Sequence, residues 1–143
     1  YFKREIVFVN GFAANDPEST GKIWENMVEK FGAERRKIML INCRADRPHR
    51  SQQMAEEAGQ WTTPDKVILM GSGCFVFVRN AVKHGLDPEK LLVLEGGDTV
   101  DITETILEES ASNALVVGMC NIHGGGEEVA RFFQNRAVKE EDL

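Results

Sequence analysis

Three arginines, an aspartate and a histidine crowd into "NCRADRPHR", residues 42–50. Arg44, Arg47 and Arg50 recur at every third position, with Asp46 and His49 between them. A guanidinium fork grips a carboxylate or a phosphate through two parallel N–H donors, so the pattern describes an anion clamp. The plainer alternative is a solvated charged loop in which Asp46 pairs with one of the arginines. A second cluster is "GMCNIHGGGEE", residues 118–128, where Gly124, Gly125 and Gly126 free backbone amides just before a helical pattern begins. Amides at such a place favour an anion, and Asn121 and His123 beside them offer hydrogen bonds to a ligand. The third is "NGFAANDPEST", residues 10–20, an eleven-residue run without a lysine or arginine. A strand-to-helix connection usually takes about two to six residues. Asp16 as a helix cap, Pro17 in the first turn and Glu18 behind it account for half of this loop. Asn10 to Asn15 have no such explanation.

Other patterns are incomplete. "STGK" at 19–22 suggests a phosphate loop, but the glycine required five positions before Gly21 is Asp16. "GSGCFV" with Glu95 about twenty residues on outlines a dinucleotide fingerprint, yet Val76 stands where its third small residue belongs. That keeps a nicotinamide-dependent oxidoreductase built on Gly71, Gly73 and Glu95 as an alternative. "EGGDTVD" reads as a cap at Asp98 or Thr99. Cys43, Cys74 and Cys120 are far apart in sequence, border apolar runs and form no C-x-x-C pair, so buried, reduced structural thiols are expected rather than a disulfide or a metal site.

These segments must be held by the elements between them. Five continuous apolar runs, at Glu5–Val9, Ile38–Ile41, Val67–Met70, Leu91–Leu94 and Ala114–Val117, have the character of strands covered on both faces. Helical spacing follows each one: Ile23, Met27 and Phe31; Met54, Ala55 and Ala58; Val76, Val78, Ala81 and Val82; Ile102, Ile106 and Leu107; Val129, Phe132 and Phe133. The β-α order repeated five times predicts a Rossmann-like α/β domain, a mostly parallel sheet of five to six strands in three layers with helices on both faces. Ligands in such sheets bind beyond the carboxyl ends of the strands, and all of the polar loops fall there.

The 143 residues predict one domain. A formal charge of −6 argues against nucleic acid as a partner, which would need a basic face. No apolar run reaches the ~20 residues that span a bilayer. The start at Tyr1, with a strand almost at once, suggests a domain of a longer protein.

Together the three loops resemble the C-terminal domain of the Mur-ligase superfamily, which includes the peptidoglycan amino-acid ligases and folylpolyglutamate synthetase. "NGFAANDPEST" stands where that superfamily has an Asp-x-Ala-His-Asn-Pro loop, "NCRADRPHR" is similar to its Gly-Asp-Arg-Asp region, and "VVGMCNIHGGGEE" to its closing Gly-Lys-Gly-His-Glu stretch. The poly-γ-glutamate synthase branch (PgsB/CapB) is closer still, with "FVNGFAAND", "NCRADR" followed by "QQ", and "NIHG" as near-verbatim features. Ala14 takes the place of the superfamily's histidine. Met119 and Cys120 take the places of a small residue and a glycine in the branch.

The resemblance implies residues 1–143 as the closing domain of an ATP- and Mg2+-dependent amide ligase that makes poly-γ-glutamate through an acyl phosphate. The phosphate loop would lie in an upstream central domain, and this domain alone would be inactive. Asn10, Asn15 and Asp16 are then expected at the nucleotide or acyl phosphate, and Arg44, Asp46, Arg47 and Arg50 at substrate carboxylates. Asn121, His123 and Gly124 would line the cleft. No catalytic residue and no metal ligand is assigned. Expected partners are glutamate, the growing chain, the upstream domain and the subunits of a membrane-bound synthase complex on the cytoplasmic face. A non-catalytic assembly module of a capsule complex is the remaining alternative.

Overall fold

A computed structural model describes residues 5–14 and 16–136. The strands are β1 (Glu5–Asn10), β2 (Arg36–Cys43), β3 (Lys66–Gly71), β4 (Leu91–Val93) and β5 (Asn113–Met119). They alternate with α1 (Pro17–Phe31), α2 (Pro48–Ala58), α3 (Cys74–Lys83), α4 (Thr99–Glu109) and α5 (Gly125–Asn135), and a short 3₁₀ turn at Pro88–Lys90 precedes β4. Four strands contain the apolar run that predicts them, with ends differing by at most two residues, while β4 stops at Val93, one residue short of its predicted run. The central runs Ile38–Ile41 and Val67–Met70 are wholly buried, which requires helices above and below them.

The sheet has five strands in the order β1-β5-β2-β3-β4, and all four pairings are parallel. The chain steps outward from β2 to β4, then returns to insert β5 between β1 and β2. Side chains sort accordingly. Trp24 of α1, Met54 and Ala55 of α2, and Phe77 and Ala81 of α3 pack with Met39, Ile41, Leu69 and Val117 on one face. Ile102 and Ile106 of α4 and Val129 of α5 pack with Ile38, Leu40, Ile68 and Val116 on the other. The resemblance and the β-α alternation are both met: three layers, helices on both faces.

The helix starts are set by local chemistry. Asp16 is extended and its carboxylate accepts the Ser19 N–H at 2.9 Å, with Pro17 in the first turn, as the sequence predicts. Asp98 caps α4 in the same way through Asp101 N–H at 2.9 Å. α5 begins differently. Gly124 precedes it with a φ of 64° and supplies no side-chain cap.

Topology follows from this sorting. The helix leaving β5 goes to the opposite face from those leaving β1 and β2, its two neighbours. Crevices therefore open at the carboxyl ends on both sides of β5, where strand order reverses. Among the described residues, no helix is long and apolar enough to cross a membrane.

Candidate functional site

The loops after β1, β5 and β2 stand side by side on this rim, because their strands are adjacent in the sheet. The loop after β5 is fastened to the end of β2 by two asparagines. Asn42 Nδ2 donates to the carbonyls of Asn121 at 2.8 Å and His123 at 3.0 Å, and Asn121 Nδ2 donates back to the Asn42 carbonyl at 3.0 Å. Both are buried, at 3% and 4% exposure, so these bonds are shielded from water. Peptide N–H and C=O groups are antiparallel in a trans unit, and no cis bond occurs among the described residues. With the carbonyls of 121 and 123 turned toward Asn42, the amides of Ile122 and Gly124 point away from it.

The loop after β1 reaches the same place through an apolar residue. Phe12 is 1% exposed, and its ring abuts Gly118 of β5 and lies near Gly126 of α5. A Cβ at Gly118 would fall 2.4 Å from the ring, and one at Gly126 would fall 2.6 Å from the Asn121 carbonyl. Small residues at these two points let three loops close on one another.

The three arginines part company. Arg44 makes a forked pair with Asp46, at 3.0 and 2.7 Å, and this guanidinium holds the exposed Asp46 carboxyl below its ordinary range. Arg47 is exposed just before Pro48, where α2 begins. Arg50, in the first turn of α2, donates from Nη1 to Asn121 Oδ1 at 2.9 Å, joining the second loop to the fifth. The pairing expected as the plainer reading of this loop holds for Arg44 alone.

Asn10 is exposed at the end of β1, level with Gly118 in the register. His123 and Gly124 are exposed on the fifth loop. Asn15 lies outside the described residues. Asp16 faces another way: with Glu18, Glu25, Glu56, Glu57 and Trp61 it lines a groove of about 830 Å3 between α1 and α2. The carboxylates of this groove make it a poor receptacle for an anion, and the polar rim around β5 is the better candidate.

The dinucleotide alternative fares worse. Gly71 and Gly73 have φ of 90° and 66°, but Gly71 is pressed against the Cys43 carbonyl and Gly73 against Ala45. Glu95 Oε1 accepts the Cys74 N–H at 2.9 Å, so a carboxylate already occupies the first amide of α3, where a pyrophosphate would have to sit. All three cysteines are free and buried. The Cys43 thiol is pushed up by its hydrogen bond with Cys74, and desolvation pushes Cys120 up to about 11. Among the described residues, no group of three His, Cys, Asp or Glu could hold a metal ion.

Sequence reasoning overlooked Asn42 and Phe12. Phe12 carried a signal, as a lone aromatic in an otherwise small and polar loop. Cys120 has a φ of 90°, a conformation suited to glycine, at the position where the resembling branch has one.

Comparison with known proteins settles the family. Residues 1–136 match the sequence model of the poly-gamma-glutamate synthase CapB C-terminal domain. The chain belongs to that family. It is similar to the PGA synthase CapB of Bacillus subtilis (strain 168), 35% identical over 133 residues, covering 93% of this chain and 34% of that protein. It is similar also to the capsule biosynthesis protein CapB of Bacillus anthracis, 36% identical over 121 residues, covering 84% of this chain and 26% of that one. The chain thus spans about a third or less of the relatives it matches. Among solved structures, the murein peptide ligase Mpl of Psychrobacter arcticus 273-4 superposes over 95% of this chain and 29% of its own, with a TM-score of 0.64 and 18% identity. That likeness establishes a shared fold, the one the resemblance predicts.

Proposed function

We propose that this CapB C-terminal domain is the closing half of an ATP-dependent amide ligase that extends poly-γ-glutamate. It would work beside a phosphate-loop domain elsewhere in the protein and beside further subunits of a membrane-bound complex. The observation that carries the reading is the Arg50–Asn121–Asn42 connection, which puts the arginine loop and the His123 loop on one rim. The donor set on that rim suits an anionic ligand: Arg47, the remaining N–H groups of Arg50, His123, Asn10 and the amides leading into α5. ATP, when bound, would supply the phosphoryl group that activates a glutamate carboxylate. Mg2+, when bound, would be held chiefly by those phosphates and by water, as is usual for this ion.

On this reading Arg47 and Arg50 hold the substrate carboxylate, while Arg44, already paired, stiffens the loop. Asn10, Asn15 and His123 contribute polar contacts when the rim closes. Closure excludes water, which an activated acyl group requires because it hydrolyses if exposed. The test is Arg47→Ala in the full-length protein, assayed for glutamate incorporation with ATP. A rise in KM for glutamate of about tenfold or more is expected for loss of one charged hydrogen bond. Unchanged KM and turnover would remove Arg47 from the site.

A further inference from the structure

Asn121 is held from both ends of its side chain. Its Oδ1 accepts from Arg50 Nη1 at 2.9 Å and its Nδ2 donates to the Asn42 carbonyl at 3.0 Å. Turning the amide over would set donor against donor at Arg50 and acceptor against acceptor at Asn42, so only one orientation is satisfied. Asn42 is fixed in turn by its two bonds to the Asn121 and His123 carbonyls. Immediately before Asn121 the backbone takes the left-handed conformation at Cys120, φ 90°, in a residue that is not glycine. Strain of that kind persists where the surroundings over-determine it, and it tends to gather at working sites.

Arg50 is the beneficiary. An arginine left free must lose its rotamer freedom when a ligand binds, whereas one already ordered does not. Arg47 is exposed, and Arg44 spends its fork on Asp46. Arg50 uses only Nη1, and among the described residues its Nε and Nη2 edge makes no hydrogen bond. That edge is the face on which a carboxylate seats two oxygens side by side.

Resting on the ligase reading above, we propose that Asn121 is a positioning residue that pre-orders Arg50 to receive a substrate carboxylate, with Asn42 and the left-handed turn at Cys120 as its frame. Asn121 itself touches no substrate. Its contribution passes through Arg50.

The test uses the full-length protein in a double-mutant cycle of Asn121→Ala and Arg50→Ala, with KM for glutamate, kcat and melting temperature measured for each variant. Asn121→Ala alone should raise KM about tenfold, with kcat changed by less than about twofold. In the Arg50→Ala background, adding Asn121→Ala should change KM by less than about twofold while the melting temperature still falls. An equal KM effect in both backgrounds overturns the proposal, and so does an Arg50→Ala variant with wild-type KM.

A second arm needs no activity. With arginine-selective 15N labelling, the Arg50 Nη–H signals should be in slow exchange in the wild type and averaged in Asn121→Ala. Averaged signals in the wild type overturn the proposal, whatever the enzyme does. Absence of any ligase turnover, with slow-exchange Arg50 signals intact, would instead count against the ligase reading alone. Should Asn121→Ala not fold, Asn121→Asp keeps an oxygen toward Arg50, and loss of slow exchange in that variant would likewise overturn the proposal.

Discussion

The tip of the Phe12 ring abuts Gly118, so close that a Cβ there would meet Cζ, Cε2 and Cε1 at 2.4, 2.5 and 2.9 Å. This contact accounts for part of the length of the first loop. The chain leaves β1, drops an aromatic side chain into the core on the α4–α5 face, and only then starts α1. Gly118 is a glycine because β5 must leave room for the ring.

The pair should behave as one unit. Phe12→Ala removes a fully buried aromatic and is expected to cost about 3–5 kcal/mol. Gly118→Ala overpacks the same spot and should cost about 1–3 kcal/mol. With Phe12 already replaced by alanine, the clash at 118 disappears and the second substitution should come close to neutral. Urea denaturation of the two single variants and the double variant measures the coupling. Additive losses would show that Gly118 is constrained by something other than the ring.

The cap at Asp16 predicts a pH dependence. Ser19 donates its N–H to this carboxylate, and that bond, with the nearby Ser19 side chain, lowers its pKa below the ordinary 3.8. A carboxyl lowered on folding stabilises the folded state in its ionised form. The contribution is therefore complete above about pH 5 and is lost as pH falls below 3.8 through the lowered folded value. Asp16→Ala should melt below the wild type at pH 7, and the difference should shrink steadily toward about pH 2. Melting curves at several pH values test this. A gap that does not vary with pH would mean that the charge at Asp16 adds nothing to the cap.

Much of the architecture was legible because each strand is a short continuous apolar run and each helix a periodic one. Parallel sheets with both faces covered leave that signature, and the crossover requirement does the rest. Asp16, Pro17 and Asp98 declared two helix starts through side-chain chemistry that acts within three residues. The rim was legible as a set of loops but not as a set of contacts. Nothing local told that Arg44 would turn to Asp46, two residues away, while Arg50 reached Asn121, seventy-one residues away. Strand order decides this, since inserting β5 between β1 and β2 is what makes residues 42 and 121 neighbours. Glu95 misled for the same reason. Its spacing from Gly71 completed the outline of a dinucleotide fingerprint, and the return from β4 instead laid its carboxylate on the start of α3.

Cys120 offers the sharpest test of backbone strain at the rim. At an ordinary position alanine is more favourable than glycine by about 0.5–1 kcal/mol, because glycine loses more freedom on folding. At a φ of 90° a side chain is penalised by about 1–2 kcal/mol, and the ranking should invert. Cys120→Gly and Cys120→Ala both remove the buried sulfur and its 3.7 Å contact with Asn121 Nδ2, so the comparison between them cancels the lost packing and isolates the backbone. Cys120→Gly should be the more stable of the two by about 1 kcal/mol in denaturant titrations. The Asn121–Arg50 bond should survive in the glycine variant, because the turn that delivers Asn121 to Asn42 is then free of strain. If alanine at 120 proves the more stable, the left-handed turn at this residue carries no strain and does not contribute to the frame around Arg50.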